Sequence, residues 1–483
     1  MTGGPDPARI DGMDEALARL APALEAFAAR APEGPVPAFE APLEPLPAAG
    51  VGADAVLDEL AAHVATGCRI GMPGWLGFIT TAPTTVAVAA TAAASVAGAQ
   101  RYLHHSFNHL EHQALAWLAE LCRIPSSAAG VFTSGGSTAN LVALGAARQR
   151  AFERRGHDVA EHGLPPSPAR IYCSERAHRT VHRSAGVLGL GRASVRAVDS
   201  DASGHVDAAA LERAIVEDLA DGILPIAVVA VAGSTDTGSV DDIGRLAELC
   251  GRHDVWLHVD GAYGLVAQAC PELAPRFDGI DQADSWIVDP HKWLVTGTGI
   301  GAAYVADGAL LTRAFAEGAA PYLEGSFSTH GEVVRSQFDG FAGGWADQGV
   351  ELSSPSRGAV VWAVLREIGR DGVVARVRRD VALAADLVRR VREEPELELL
   401  DEPDLSIVCF RYRPAGDDRR AELDQLNAGI ARALRHETNT VPTSTVVGGR
   451  FALRACFINP RTTEHEVEAL VASVLRFGRS LAG

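Results

Sequence analysis

Seven consecutive apolar residues, Ile226-Ala227-Val228-Val229-Ala230-Val231-Ala232, run without a polar interruption into Gly233-Ser234-Thr235-Asp236-Thr237-Gly238. A strand that is apolar on both faces has to be covered on both, which is the condition of a central strand in a parallel sheet flanked by helices. The neighbouring sequence keeps the same rhythm. Ile171–Cys173 and Ser194–Val198 read as strands, helices are expected over 207–219 and 243–252, and Val255–Asp260 is the next strand. Such alternation specifies an open, mostly parallel α/β sheet, whose ligands collect at the carboxyl ends of the strands. Ser137, His178, Thr235, Asp260 and Lys292 all fall where strands of this kind stop.

Lys292 closes the apolar run Trp286-Ile287-Val288-Asp289-Pro290-His291, and it is the only lysine among the 43 Lys and Arg residues. Burial disfavours an ammonium ion and favours the nucleophilic amine. Arginine forms no imine at accessible pH, so any Schiff-base chemistry in this chain falls to Lys292; a half-buried structural lysine is the alternative. A second feature lies at Gly130–Leu144, where a strand end meets Ser134-Gly135-Gly136-Ser137-Thr138 and then small and apolar helical residues. Glycines let the backbone approach an anion, and a helix start offers free N–H groups and a positive dipole. The stretch lacks the lysine of a Walker loop and the spacing of a dinucleotide fingerprint, which disfavours nucleotides. An ordinary capped turn would have the same composition.

The chain has 483 residues, 47% of them hydrophobic, enough for one large and one smaller domain. The expected division is an N-terminal helix and Pro-rich arm (1–60), a large domain (61–350) containing a mobile loop at 324–347, and a small α+β domain (351–483). The small domain is expected to hold helices over 357–368 and 373–392, strand Ser406–Tyr412, helix 421–434, strand Phe451–Phe457 and helix 464–477. The Pro-rich arm either wraps a partner subunit or forms a loose tail. A net charge of −18 argues against nucleic acid or an anionic membrane as partner. Ala82–Ala99 comes nearest to a membrane span, but its weak hydrophobes suit a buried helix. The N-terminus has neither a basic nor an apolar leader region, and the seven cysteines show no CxxC pairing, so a reducing cytoplasm is the expected setting. His104, His105, His109 and His112 cluster without a recognisable ligand motif, and no metal is expected.

An anion cradle, an aspartate, a histidine and a desolvated lysine suit one molecule, a phosphorylated aldehyde with a basic ring nitrogen: pyridoxal 5′-phosphate. The motifs agree. His258-Val259-Asp260-Gly261-Ala262-Tyr263-Gly264 and Asp289-Pro290-His291-Lys292-Trp293-Leu294 resemble the pyridoxal-phosphate-dependent group II amino acid decarboxylases, the aromatic-amino-acid and glutamate decarboxylase group. The likeness runs from about Pro73 to Thr463. It implies a fold type I enzyme, aspartate-aminotransferase-like, that decarboxylates an L-amino acid through aldimine and quinonoid intermediates. It also implies a homodimer with shared active sites. In that family pattern Lys292 would form the internal aldimine, Asp260 would face the ring nitrogen, and Ala262 and His178 would flank the ring. Gly135, Gly136, Ser137 and Asp289 would surround the phosphate, with Thr235 near the cofactor and His291 aiding phosphate or substrate.

Two departures from the family pattern bear on substrate and product. Met72-Pro73 stands where the family has His-Pro, and Trp75, Phe78 and Tyr102 suggest an apolar, aromatic-binding wall. The loop at 324–347 has no tyrosine to return a proton to the substrate carbon, and His330 is its one evident neutral-pH acid. A phenylalanine in that role would leave oxygen to intercept the carbanion and yield an aldehyde, the alternative to simple decarboxylation. Transamination and a cofactor-binding, non-catalytic role remain as other readings. Arg357 and Arg454 are candidates either to hold a substrate carboxylate or to brace the site.

Overall fold

In the computed structural model the described residues are 12–29, 45–67, 70–99, 105–201, 204–316, 348–414 and 420–482. Their strands are β1 (Trp75–Leu76), β2 (Ala129–Thr133), β3 (Ala169–Ser174), β4 (Val195–Val198), β5 (Leu224–Val231), β6 (Trp256–Asp260), β7 (Ser285–Val288), β8 (Gly301–Val305), β9 (Leu397–Leu399), β10 (Ile407–Tyr412), β11 (Val441–Val447) and β12 (Arg450–Cys456). Seven of them form one sheet in the order β2-β8-β7-β6-β5-β3-β4. The pairs from β7 through β4 are parallel, whereas β8 is antiparallel to both β7 and β2.

The direction of β8 follows from its connection. A parallel crossover needs a helix-sized link, but β7 and β8 are joined by 289–300 alone, with no helix between them. The chain therefore turns back at the carboxyl end of β7, and Lys292 sits in the turn. Because Thr133 pairs with Gly301, the glycine turn after β2 arrives beside the same loop.

Strand β5 is buried along its whole length, starting two residues before the apolar run, at Leu224 and Pro225. Its pairing with β3 shifts register between Arg170 and Ile171, opposite that proline. The alternation of side chains distributes β5 between two cores. Ala227 and Val229 pack with the helix Gly136–Glu153, and Val228 and Ala230 pack with the helices Ala208–Ala220 and Ile243–His253. The helix Arg357–Glu393 breaks at Gly369 (φ 62°). Its first half contributes Val361 and Val364 to the large core, and its second half gives Leu387 and Val391 to a third core under the small sheet.

The small sheet has the order β1-β11-β12-β10-β9. Although Trp75–Leu76 lie within the span expected for the large domain, they pair in parallel with Val441 and Pro442 and belong to this sheet. The helix Met13–Ala29 leans on the helix Ala53–Thr66, where Arg19 contacts Asp58 at 2.8 and 2.6 Å. Among the described residues, no helix is long and apolar enough to cross a membrane.

Candidate active site

The turn that carries Lys292 is built from successive backbone bonds. The Asp289 N–H donates to Ala262 O (3.0 Å), Lys292 N–H to Asp289 O (2.9 Å) and Val295 N–H to Lys292 O (3.2 Å). Val295 adopts a left-handed backbone (φ 57°), which a β-branched residue accepts only when its surroundings enforce it. Here the side chain is fully buried, and the Thr84 N–H holds the Val295 carbonyl. Next to the lysine, Trp293 stacks on Tyr263 with ring centroids 4.8 Å apart and donates Nε1–H to Asp380 (2.8 Å). Lys292 Nζ lies 3.3 Å from Asp289 Oδ2, so the surroundings of the amine include a carboxylate, where the sequence alone suggests apolar cover.

Gly135 (φ 120°) caps the helix Gly136–Glu153, and no side chain caps its first turn. Thr133 Oγ1 donates to the Gly135 carbonyl at 3.1 Å. A Cβ at Gly136 would stand 2.6 Å from Asp289 Oδ2, and one at Gly301 would stand 2.7 Å from Asp289 Oδ1. Asp289 is therefore packed against the glycine turn itself, and its buried Oδ1 has no hydrogen-bond partner. His291 donates Nδ1–H to Ile300 O (2.7 Å), with its Nε2 3.8 Å from Asp289 Oδ2. Ser137 is exposed at the helix start.

On the neighbouring strand, register places Asp260 opposite Ile287 of β7 and opposite Val231 of β5. Asp260 is buried, its Oδ1 accepting from Ala262 N–H (3.3 Å) and its Oδ2 from Asn140 Nδ2 (3.1 Å). Asn140 also reaches Thr180 Oγ1 (3.1 Å) and His258 Nε2 (2.9 Å), and Thr180 Oγ1 lies 2.8 Å from His178 Nδ1. Burial pushes the His258 imidazolium down to about 4, so the ring is neutral at pH 7. Asn140, Thr180 and His258 are absent from the sequence-derived site. His258 shares a strand face with Asp260 at i, i−2, and Asn140 is a polar residue one turn into an apolar helix; both were readable signals.

On the far side, the Trp75 and Phe78 rings lie 6.2 Å apart at 38°. Phe78 is 62% exposed in a left-handed backbone (φ 54°), and its carbonyl accepts from Arg454 Nη1 (3.1 Å). Arg454 is buried, and its Nε also donates to the carbonyls of Thr235 (2.9 Å) and Asp236 (3.0 Å). Thr235 itself is exposed. Arg357 differs from the expectation of a free carboxylate clamp. Glu351 (2.5 Å), Ser354 (2.7 Å) and the Gly299 carbonyl (3.1 Å) already engage its guanidinium, so it braces the lysine loop. Tyr102, His330 and the loop at 324–347 lie outside the described residues. Among those described, no group of three His, Cys, Asp or Glu is placed to hold a metal.

These residues fit pyridoxal phosphate: a single amine, a buried carboxylate on the adjacent strand, an uncapped helix start with no room for a Cβ, and small Ala262 between them. Residues 43–413 match the family described as the pyridoxal-dependent decarboxylase conserved domain. The chain is 30% identical over 441 residues to tryptophan decarboxylase 1 of Oryza sativa subsp. japonica, covering 86% of this chain and 82% of that protein. It is 29% identical over 365 residues to an aromatic-L-amino-acid decarboxylase of Bacillus atrophaeus, covering 76% and 72%. A crystal structure of Oryza sativa TDC with PLP and tryptamine superposes with a TM-score of 0.89 at 26% identity, covering 99% of this chain and all of that one. The architecture is that of fold type I, and the chain belongs to the pyridoxal-dependent decarboxylase family, as a pyridoxal-phosphate-dependent amino acid carboxy-lyase.

Proposed function

We propose that this carboxy-lyase acts on an aromatic L-amino acid, as a cytoplasmic homodimer with shared active sites. The observation that carries the site reading is that the turn bearing Lys292 follows β7 directly, Asp260 ends the neighbouring parallel strand β6 opposite Ile287, and the glycine turn of 134–136 closes against Asp289. Lys292 Nζ would hold the cofactor's aldehyde carbon, and Asp260 would keep the ring nitrogen protonated. Ala262 and His178 would take the two faces of the ring. Gly135, Gly136, Ser137 and Asp289 would surround the phosphate at the helix start, with His291 aiding phosphate or substrate and Thr235 near the cofactor. When bound, pyridoxal phosphate supplies the electron sink that accepts the pair left on the substrate Cα as CO2 departs.

The aromatic preference is supported by the Trp75–Phe78 wall and by the names of the relatives, which include tryptophan and aromatic-L-amino-acid decarboxylases. A dimer is supported by the paired N-terminal helices, which leave Leu17, Leu24, Val56 and Leu60 exposed. Incubation with L-tryptophan, L-tyrosine or L-glutamate, with CO2, amine and oxygen measured together, tests the reading. Equimolar CO2 and amine from an aromatic substrate, without oxygen uptake, is the expected result. Oxygen consumption with aldehyde would instead assign the oxidative outcome, and turnover of glutamate alone would overturn the aromatic assignment. Light scattering at the monomer mass would overturn the dimer.

A further inference from the structure

Asn140 is fully buried, and its carboxamide bonds on every side. Its orientation is fixed by its partners. Asp260 Oδ2 only accepts, so the atom facing it is Nδ2, whose other hydrogen goes to Thr180 Oγ1. Oδ1 then accepts from His258 Nε2–H. The far end agrees, because Ser285 Oγ accepts Trp256 Nε1–H (2.7 Å) and sends its own proton to His258 Nδ1 (2.8 Å).

The same logic runs outward. Thr180 Oγ1, accepting from Asn140, directs its proton to His178 Nδ1 at 2.8 Å, and the Thr180 backbone N–H, which can only donate, faces that nitrogen at 3.4 Å. A ring nitrogen that faces two donors carries a lone pair, so the proton of neutral His178 sits on Nε2. His178 is exposed, and among the described residues its Nε2 has no hydrogen-bond partner.

We propose that Asn140 is a positioning residue that ties Asp260 to Thr180 with one amide nitrogen and thereby locks His178 in its Nε2–H tautomer. The step rests on the reading above that Asp260 faces the cofactor's ring nitrogen and His178 lies on one face of the ring. It gives His178 a fixed hydrogen-bond donor toward substrate, such as the departing carboxylate, and bars a swap of donor and acceptor at that ring.

The test uses full-length protein loaded with pyridoxal phosphate and labelled with 15N-histidine. Solid-state NMR reads the ring nitrogens, and His178→Gln assigns the signals. The wild type and Thr180→Ser should show Nε2–H at neutral pH, whereas Asn140→Leu and the isosteric Thr180→Val should show mixed tautomers. With one hydrogen bond lost, kcat in Thr180→Val should fall on the order of tenfold with cofactor affinity unchanged. Thr180→Val keeps the buried volume and decides the matter if Asn140→Leu does not fold. A dominant Nδ1–H form in the wild type, or an unaltered tautomer in Thr180→Val, overturns the proposal. If the protein binds no pyridoxal phosphate, the functional reading fails, while the ring signals of the unloaded chain still report on Asn140.

Discussion

Asp289 Oδ2 lies 3.3 Å from Lys292 Nζ, three residues along the same turn, and the same carboxylate fills the space where Gly136 or Gly301 would carry a Cβ. One side chain therefore touches both the amine and the helix start. The glycine turn and the lysine loop are built as one unit, and changes to either should be felt at the other.

Lys292→Ala should abolish the visible absorbance of the bound cofactor and all CO2 release. Lys292→Arg keeps a cation against Asp289 but cannot form an imine. It should be equally colourless and inactive, with thermal stability close to wild type. Colour retained in either variant, read by a simple visible spectrum, would remove Lys292 from the chemistry.

Gly136→Ala places a methyl group 2.6 Å from Asp289 Oδ2. In an open helix this exchange would stabilise by up to about 1 kcal/mol. Here overpacking at a cost of about 1–3 kcal/mol should weaken pyridoxal phosphate binding at least tenfold in a fluorescence titration. An unchanged dissociation constant would mean that Asp289 moves aside freely.

Arg454→Met removes the donor that joins the carbonyls of Phe78, Thr235 and Asp236. Losing hydrogen bonds from a charged donor costs about 1.5–3 kcal/mol. The melting temperature should drop accordingly, and KM should rise more than kcat falls, because the apolar wall at Phe78 loses its anchor. A fall in kcat alone would argue that Arg454 acts on the reaction itself.

His258 titrates at about 4 in the fold, below its usual value near 6.5, because burial opposes the imidazolium. Between those pH values the unfolded chain binds the extra proton, so this group's contribution is present above pH 6.5 and is lost as pH falls toward 4. The loss is on the order of 3 kcal/mol. Urea midpoints at pH 7 and pH 4.5 should therefore fall further for wild type than for His258→Gln. Equal falls would show that His258 does not titrate in this window.

The parallel strands and the residues at their carboxyl ends were legible because a doubly covered strand writes itself as an unbroken apolar run. Strands β8, β9 and β11 were not. Gly301–Val305 is short and weakly apolar, Leu397–Leu399 has three residues, and Val441–Val447 is threaded with Thr and Ser. The site divides the same way. Lys292 announced itself by type and neighbours, whereas Asn140 acquires its meaning from Asp260, 120 residues away. Arg357 was legible as a charge but not as one already spent on Glu351.

The pairing of Trp75 with Val441 has a consequence for the order of assembly. The Arg454–Phe78 bond alone closes a separation of 376 residues. Contacts this distant are slow to form and have to wait for the late sequence to be synthesised. A chain emerging from the ribosome can thus complete the lysine turn and its parallel sheet while the aromatic wall still hangs unpaired. The stretch at Trp75–Phe78 would take its place last, only once Val441 and Arg454 have been made and have docked.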